Sequence, residues 1–227
     1  MTTKREDTHA LLAPDMNILA KQEVTLSVLI IDRSGSMHDY QDSMKEAVNS
    51  HIQDLSRNMD GREYYCAVIS FADEMRVDLP FFYVRTVPKF EVYHPDGLTL
   101  QYETVEKVIS GILENFEKLS STERNRFKIF FGVFTDGEDN QSDKNLYPEK
   151  LQSVSRRARE LSCELLTFGF GVDAPYIAEL MGFPTDEDHA VTVEKSTSGI
   201  TQATRHYTSF TSTGSPRGPM KKNTPST

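Results

Sequence analysis

The sequence predicts an α/β protein built on a doubly wound, mostly parallel six-stranded sheet, with helices on both faces and one antiparallel edge strand. Three observations carry this expectation. First, Val24–Ile31 and Phe127–Thr135 are nearly continuous apolar or β-branched runs, the pattern of strands buried on both faces. Second, strand-like runs alternate along the chain with segments of helical periodicity, which implies parallel strands joined by right-handed crossovers. Third, both apolar runs stop abruptly at clusters of small oxygen-bearing residues, at Asp32–Ser36 and Thr135–Asn140. In doubly wound sheets, ligands bind beyond the carboxyl ends of strands where the strand order reverses, so these two strands are expected to be neighbours at that point.

The elements follow in order. Residues 1–22 show little periodicity, although Leu11, Leu12, Met16, Ile18 and Leu19 suit a short segment laid against the domain. After the first strand and its loop, Met44, Val48, Ile52, Leu55 and Met59 recur at intervals of three and four, predicting a helix over Asp39–Met59 that ends at Asp60-Gly61. Glu63–Ala72 reads as a second buried strand. Met75–Tyr93 alternates and is interrupted by Pro80 and Pro88, which suits an edge hairpin. The clearest helical stripe is Val105, Val108, Ile109, Ile112, Leu113, Phe116 and Leu119, within Tyr102–Leu119. Beyond the Phe127–Thr135 strand, a helix over Tyr147–Ser162, a strand Glu164–Phe170, a short helix Pro175–Met181, a strand Ala190–Val193 and a last helix Gly199–Phe210 complete the domain. The expected partition is a 1–22 extension, a 23–210 domain and a flexible basic tail over 211–227.

Composition narrows the function. In 227 residues, 37% are hydrophobic and 26% charged, and no apolar run approaches the roughly 20 residues of a membrane helix. The polar first residues lack the apolar core of a secretory signal, so a cytoplasmic location is expected. The two cysteines, Cys66 and Cys163, lie in or beside apolar strands and read as buried thiols, with a disulfide as the alternative. Net charge is −9, yet residues 195–227 hold no acid and carry Lys195, Arg205, Arg217, Lys221 and Lys222. Setting that +5 aside leaves −14 for the remainder. An acidic body argues against nucleic acid as a partner, and the basic end reads as a solvated tail.

Asp32, Ser34 and Ser36 follow the i, i+2, i+4 spacing that sets three oxygens on one side of an extended chain, and Gly35 permits the curl that lets them converge. Convergent oxygens suit a hard divalent cation; the competing reading makes Ser36 a helix N-cap and Asp32 a solvated loop acid. The Asp32-Arg33-Ser34-Gly35-Ser36 stretch, Thr99 in a loop before a helix, and Thr135-Asp136-Gly137 together resemble the von Willebrand factor A domain and its metal-ion-dependent adhesion site. The family pattern often has Gly-Gly before the threonine, where this chain has Gly97-Leu98.

The resemblance implies hydroxyl ligands from Ser34, Ser36 and Thr99, with Asp32 and Asp136 close to the metal directly or through water. It implies Mg²⁺, or Mn²⁺ in vitro, and a partner protein whose Asp or Glu completes the site. The chemistry agrees, since an all-oxygen set without a Cys or His pair disfavours zinc. The implied role is a non-catalytic, metal-dependent protein-binding module. The single-domain form is similar to intracellular bacterial or phage-type members, some of which work beside tellurium-resistance proteins, AAA+ ATPases, or kinase and phosphatase partners. The alternative is a Mg²⁺-assisted hydrolase or phosphotransferase using Asp32 in the same crevice, although the acid that haloacid dehalogenase-type enzymes need two residues later is here Ser34. Glu138, Asp139 and Asp143 read as a solvated acidic rim, and His38 as a surface residue.

Overall fold

The computed structural model describes residues 14–86, 89–137 and 139–214. Strand β1 (Val24–Asp32) is buried along its whole length, and it is flanked in parallel by β2 (Glu63–Phe71) and β4 (Phe127–Thr135). Strands β5 (Glu164–Phe170) and β6 (Ala190–Val193) extend the sheet beyond β4, also in parallel, and β3 (Met75–Tyr83) closes the other edge antiparallel to β2. The order is β3-β2-β1-β4-β5-β6. Strand order therefore reverses between β1 and β4, the two strands whose sequences end in oxygen clusters.

Alternation along β1 divides the core into two layers. Val24, Leu26, Val28 and Ile30 face the helices α1 (Met16–Leu19), α3 (Gln101–Phe116), α5 (Glu149–Glu160) and α6 (Ala174–Met181). Leu29 and Ile31 face α2 (Gln41–Ser56) and α7 (Thr197–Thr213). A one-turn helix, α4 (Ser121–Arg124), leads into β4 and starts with a capping box between Ser120 and Glu123. Cys66 and Cys163 are free and buried. Among the described residues, no helix is long and apolar enough to cross a membrane.

Several boundaries differ from those the periodicity predicts. The first helix ends at Ser56, and Met59, expected on the buried stripe, is 82% exposed, because the chain leaves the helix before the Asp60-Gly61 turn, where Gly61 takes φ +86°. The edge segment is one strand followed by a 3-10 turn at Val84–Thr86. The last helix runs to Thr213 with Phe210 and Thr211 buried, so the first residues assigned to a tail belong to the packed domain. Met16, Leu19 and Ala20 pack into the core, as the apolar spacing of the extension suggests for the first two; Leu11 and Leu12, and the tail from residue 215 on, lie outside the described residues.

In the α2–α7 layer, small residues on the strands make room for a buried polar cluster. A Cβ at Gly132 would lie 2.7 Å from the Tyr207 ring, so glycine lets that ring rest on β4. The Tyr207 hydroxyl accepts from the Val28 N–H at 3.1 Å and lies 3.0 Å from the Phe130 carbonyl. His51 joins the cluster, 2.8 Å from both Ser27 Oγ and Thr208 Oγ1, and burial pushes its imidazole down to about 3, so it stays neutral. Tyr207→Phe removes the buried hydroxyl that meets the Val28 N–H and the Phe130 carbonyl. The expected loss is about 1–3 kcal/mol in urea denaturation, with the slope unchanged. A variant as stable as wild type would show that the hydroxyl contributes nothing.

Candidate metal centre

The site forms where β1 and β4 release their chains side by side. Asp32 is the last residue of β1 and is fully buried. Its Oδ1 accepts from the Ser34 N–H at 2.8 Å, an Asx-type turn that folds the chain back over the strand end. Its Oδ2 accepts from Thr135 Oγ1 at 2.9 Å, which ties the end of β1 to the end of β4. The Thr135 hydroxyl also lies 3.0 Å from the buried Gln101 Oε1, and Tyr93 donates its hydroxyl to the Asp32 carbonyl.

Beyond Asp32, the side-chain oxygens of Ser34, Ser36 and Asp136 form a chain. Ser34 Oγ is 3.0 Å from Ser36 Oγ, and Ser36 Oγ donates to Asp136 Oδ1 at 2.9 Å. Ser34 is the N-cap of a 3-10 turn over Gly35–Tyr40 and makes no side-chain cap bond. Ser36 lies inside that turn, and Asp32 is shielded from solvent. The helix-cap and solvated-acid alternatives for these two residues therefore do not describe the structure.

The Thr99 loop is fastened onto this turn by backbone bonds. Asp96 N–H donates to the Arg33 carbonyl at 2.9 Å, and Gly35 N–H donates to the Gly97 carbonyl at 3.0 Å. Leu98, at the position where the family pattern often has a second glycine, is 50% exposed, so its side chain adds an apolar rim and leaves the loop path free. Thr99 itself is buried, and Asn140 holds its backbone from both sides: Oδ1 accepts from Thr99 N–H at 2.9 Å and Asn140 N–H donates to the Thr99 carbonyl at 3.1 Å.

The acidic rim is more structural than its composition suggests. Asp139 Oδ2 accepts from Tyr102 N–H at 2.7 Å and Ser142 Oγ accepts from Glu103 N–H at 3.0 Å, so the loop after β4 caps the first turn of α3. Asp139 also accepts from the Ser142 N–H and hydroxyl. The expected solvated face is corrected at this residue, Glu138 lies outside the described residues, and His38 is exposed as expected.

Electrostatics set the site apart from an ordinary loop cluster. Burial pushes the Asp32 carboxyl up to about 6; the Ser34 and Thr135 hydrogen bonds oppose that rise, and the nearby charge of Asp136 adds to it. The Asp136 side chain is only 2% exposed, and its Oδ2 faces the Lys195 ammonium at 2.5 Å without a donor aligned for a hydrogen bond. Composition groups Lys195 with the basic tail, but it sits inside the folded domain, between β6 and α7. Two shielded carboxylates and three hydroxyl-bearing residues, one of them on a loop bound to the serine turn, make an all-oxygen set short of positive charge. These residues fit a small hard cation.

The sequence profile of the von Willebrand factor type A domain matches residues 28–206. The chain belongs to the von Willebrand factor A family. As an A domain it is similar to solved structures at the level of the fold. One is a von Willebrand factor type A protein from Catenulispora acidiphila, with 20% identity and a TM-score of 0.58 over 84% of this chain and 42% of that one. Another is proximal thread matrix protein 1 from the mussel byssus with a zinc-occupied MIDAS motif, at 16% identity and a TM-score of 0.60 over 82% of this chain and 48% of that one. A third is the manganese-loaded Plasmodium vivax TRAP protein, at 15% identity and a TM-score of 0.54 over 84% and 74% of the two chains. This A domain spans less than half the length of the first two. Among proteins of curated function, none matches the chain in sequence.

Proposed function

We propose that this A domain is a divalent-metal-dependent protein-binding module. Its cation is Mg²⁺, replaceable by Mn²⁺ in vitro, held by Ser34, Ser36 and Thr99 with Asp32 and Asp136 adjacent, and a partner's Asp or Glu completes the site. The observation that carries this reading is the hydrogen-bonded run from the Asp32 carboxylate to the Ser34 amide, and from the Ser34 hydroxyl through Ser36 to Asp136, at the β1/β4 switch point. The cation supplies positive charge that two carboxylates only balance, which leaves it attractive to a third. The metal-bearing structures of the mussel and Plasmodium relatives support divalent binding on this fold.

A binding role accords better with Asp32 than a nucleophilic one. Both of its oxygens already accept hydrogen bonds, and no part of the residue is exposed. The reading includes a cytoplasmic setting, supported by two free buried thiols, and a partner of the tellurium-resistance, AAA+ ATPase, or kinase and phosphatase kind.

The test is capture from source-cell lysate on the immobilised protein, with Mg²⁺ and with EDTA, for wild type and Ser34→Ala. The expected result is a protein retained by wild type only with Mg²⁺ and not retained by the variant, whose melting temperature without metal stays within a few degrees of wild type. Equal retention in EDTA would reject the metal-dependent reading.

A further inference from the structure

The Lys195 side chain reaches the metal centre from the β6–α7 junction. It stands between β6 and α7, preceding the Ser196 N-cap. Its ammonium lies 2.5 Å from Asp136 Oδ2 and 5.8 Å from the centre of the Tyr40 ring. Tyr40 ends the 3-10 turn that carries Ser36, and its hydroxyl donates to the Lys195 carbonyl at 2.8 Å. Ser43, three residues beyond Tyr40, and Thr197, two beyond Lys195, hydrogen-bond at 2.8 Å. Gly171 adopts φ +71°, and a Cβ there would stand 3.2 Å from Lys195 Cβ, so the junction is shaped to admit this side chain.

Asp136 thus divides its two oxygens: Oδ1 receives the Ser36 hydroxyl and Oδ2 faces the ammonium. The ammonium neutralises a carboxylate that is 2% exposed, yet no aligned hydrogen bond locks it in place, and the lysine side chain is itself 33% exposed. It is a cation held close by charge, with part of its stem open to solvent.

We propose that Lys195 is a built-in competitor for the divalent cation, one that satisfies Asp136 while the site lacks metal and weakens metal binding by sharing that carboxylate. This rests on the metal-dependent reading above. Two carboxylates and one ammonium sum to −1, so a bound divalent ion leaves the site at +1 where the carboxylates alone would leave it neutral. The lysine therefore costs the metal some affinity and gives the loaded site a positive surplus for an incoming carboxylate.

The test is calorimetric titration of the full chain with MgCl₂ and MnCl₂, for wild type, Lys195→Met and Lys195→Arg. Methionine keeps most of the stem against Tyr40 and removes the charge. It is expected to tighten metal binding roughly tenfold, the scale of one partly screened charge a few ångströms away. Arginine keeps the charge and is expected to bind metal within about threefold of wild type. Metal-free Lys195→Met is expected to melt several degrees below wild type, and saturating Mg²⁺ to close most of that gap. Metal binding by Lys195→Met that equals or falls below wild type overturns the competitor role while leaving the metal reading intact. Absence of binding in all three proteins overturns the metal reading, and the proposal with it.

Discussion

Asp32→Asn will lose Mg²⁺ binding by roughly a hundredfold or more, and at neutral pH it will make the metal-free protein more stable. The two effects have one cause. A carboxylate beside a divalent ion supplies the charge on which the affinity depends. Without the ion, that same charge is buried against Asp136, and its pKa rises from 3.8 to about 6. The sign follows from proton linkage. Below about pH 4 the group is protonated in both folded and unfolded chains and costs nothing. Between roughly pH 4 and 6 the unfolded chain releases its proton while the folded chain keeps it, so stability falls as pH rises. Above 6 the full cost, on the order of 3 kcal/mol, is in force. Asparagine removes the titration and can keep the Ser34 and Thr135 bonds, since Thr135 Oγ1 can accept from the amide and donate to Gln101.

Urea denaturation in EDTA at pH 4.5 and 7.5 reads this directly. Groups that do not interact with Asp32 titrate alike in both proteins and cancel, so the stability advantage of Asp32→Asn should be about 1 kcal/mol at the lower pH and reach about 2–3 kcal/mol at the higher. An advantage that does not change with pH would show that the buried charge is not its source. In wild type, the Mg²⁺-induced rise in melting temperature should shrink as pH drops through 6, because the ion must then compete with a proton on Asp32.

Gly199→Ala will destabilise the fold by about 3 kcal/mol. Gly199 lies in the first turn of α7, its N–H donating to the Ser196 cap at 3.1 Å. A Cβ there would collide with the Glu194 carbonyl oxygen and crowd the Glu194 amide. Both obstacles are backbone, so relief requires moving the β6–α7 junction rather than turning a side chain. The same junction carries Lys195, so the variant should also disturb metal binding at temperatures where it remains folded. Gly137→Ala is the control: nothing lies within 4 Å of a Cβ at that position, and the expected change is within about 0.5 kcal/mol. Equal stability of the two variants would refute the steric account.

Local pattern alone was enough for the sheet, the strand and helix types, and the pairing of the two oxygen clusters. Val24–Ile31 and Phe127–Thr135 are apolar on both faces because both faces are covered, and helices between parallel strands leave few topologies. Those constraints alone set Asp32 and Asp136 side by side at the switch point. Thr99 was legible from the family pattern alone, since nothing local marks it. The tertiary structure decided what surrounds these residues. The helix α3 is capped by Asp139 and Ser142, some 40 residues downstream, and its own N-cap Leu100 makes no side-chain bond, so a search for local capping signals fails there. Asp139 consequently reads as a solvated acid in the sequence and is a helix cap in the fold. Lys195 was lost for a related reason: composition grouped it with the basic residues that follow, whereas the β6–α7 junction turns it back onto Asp136, 59 residues earlier in the chain. Periodicity and motif spacing report interactions that repeat within a few residues. Contacts made where two distant loops meet at strand ends leave no such trace, and at this site those contacts set the charge balance.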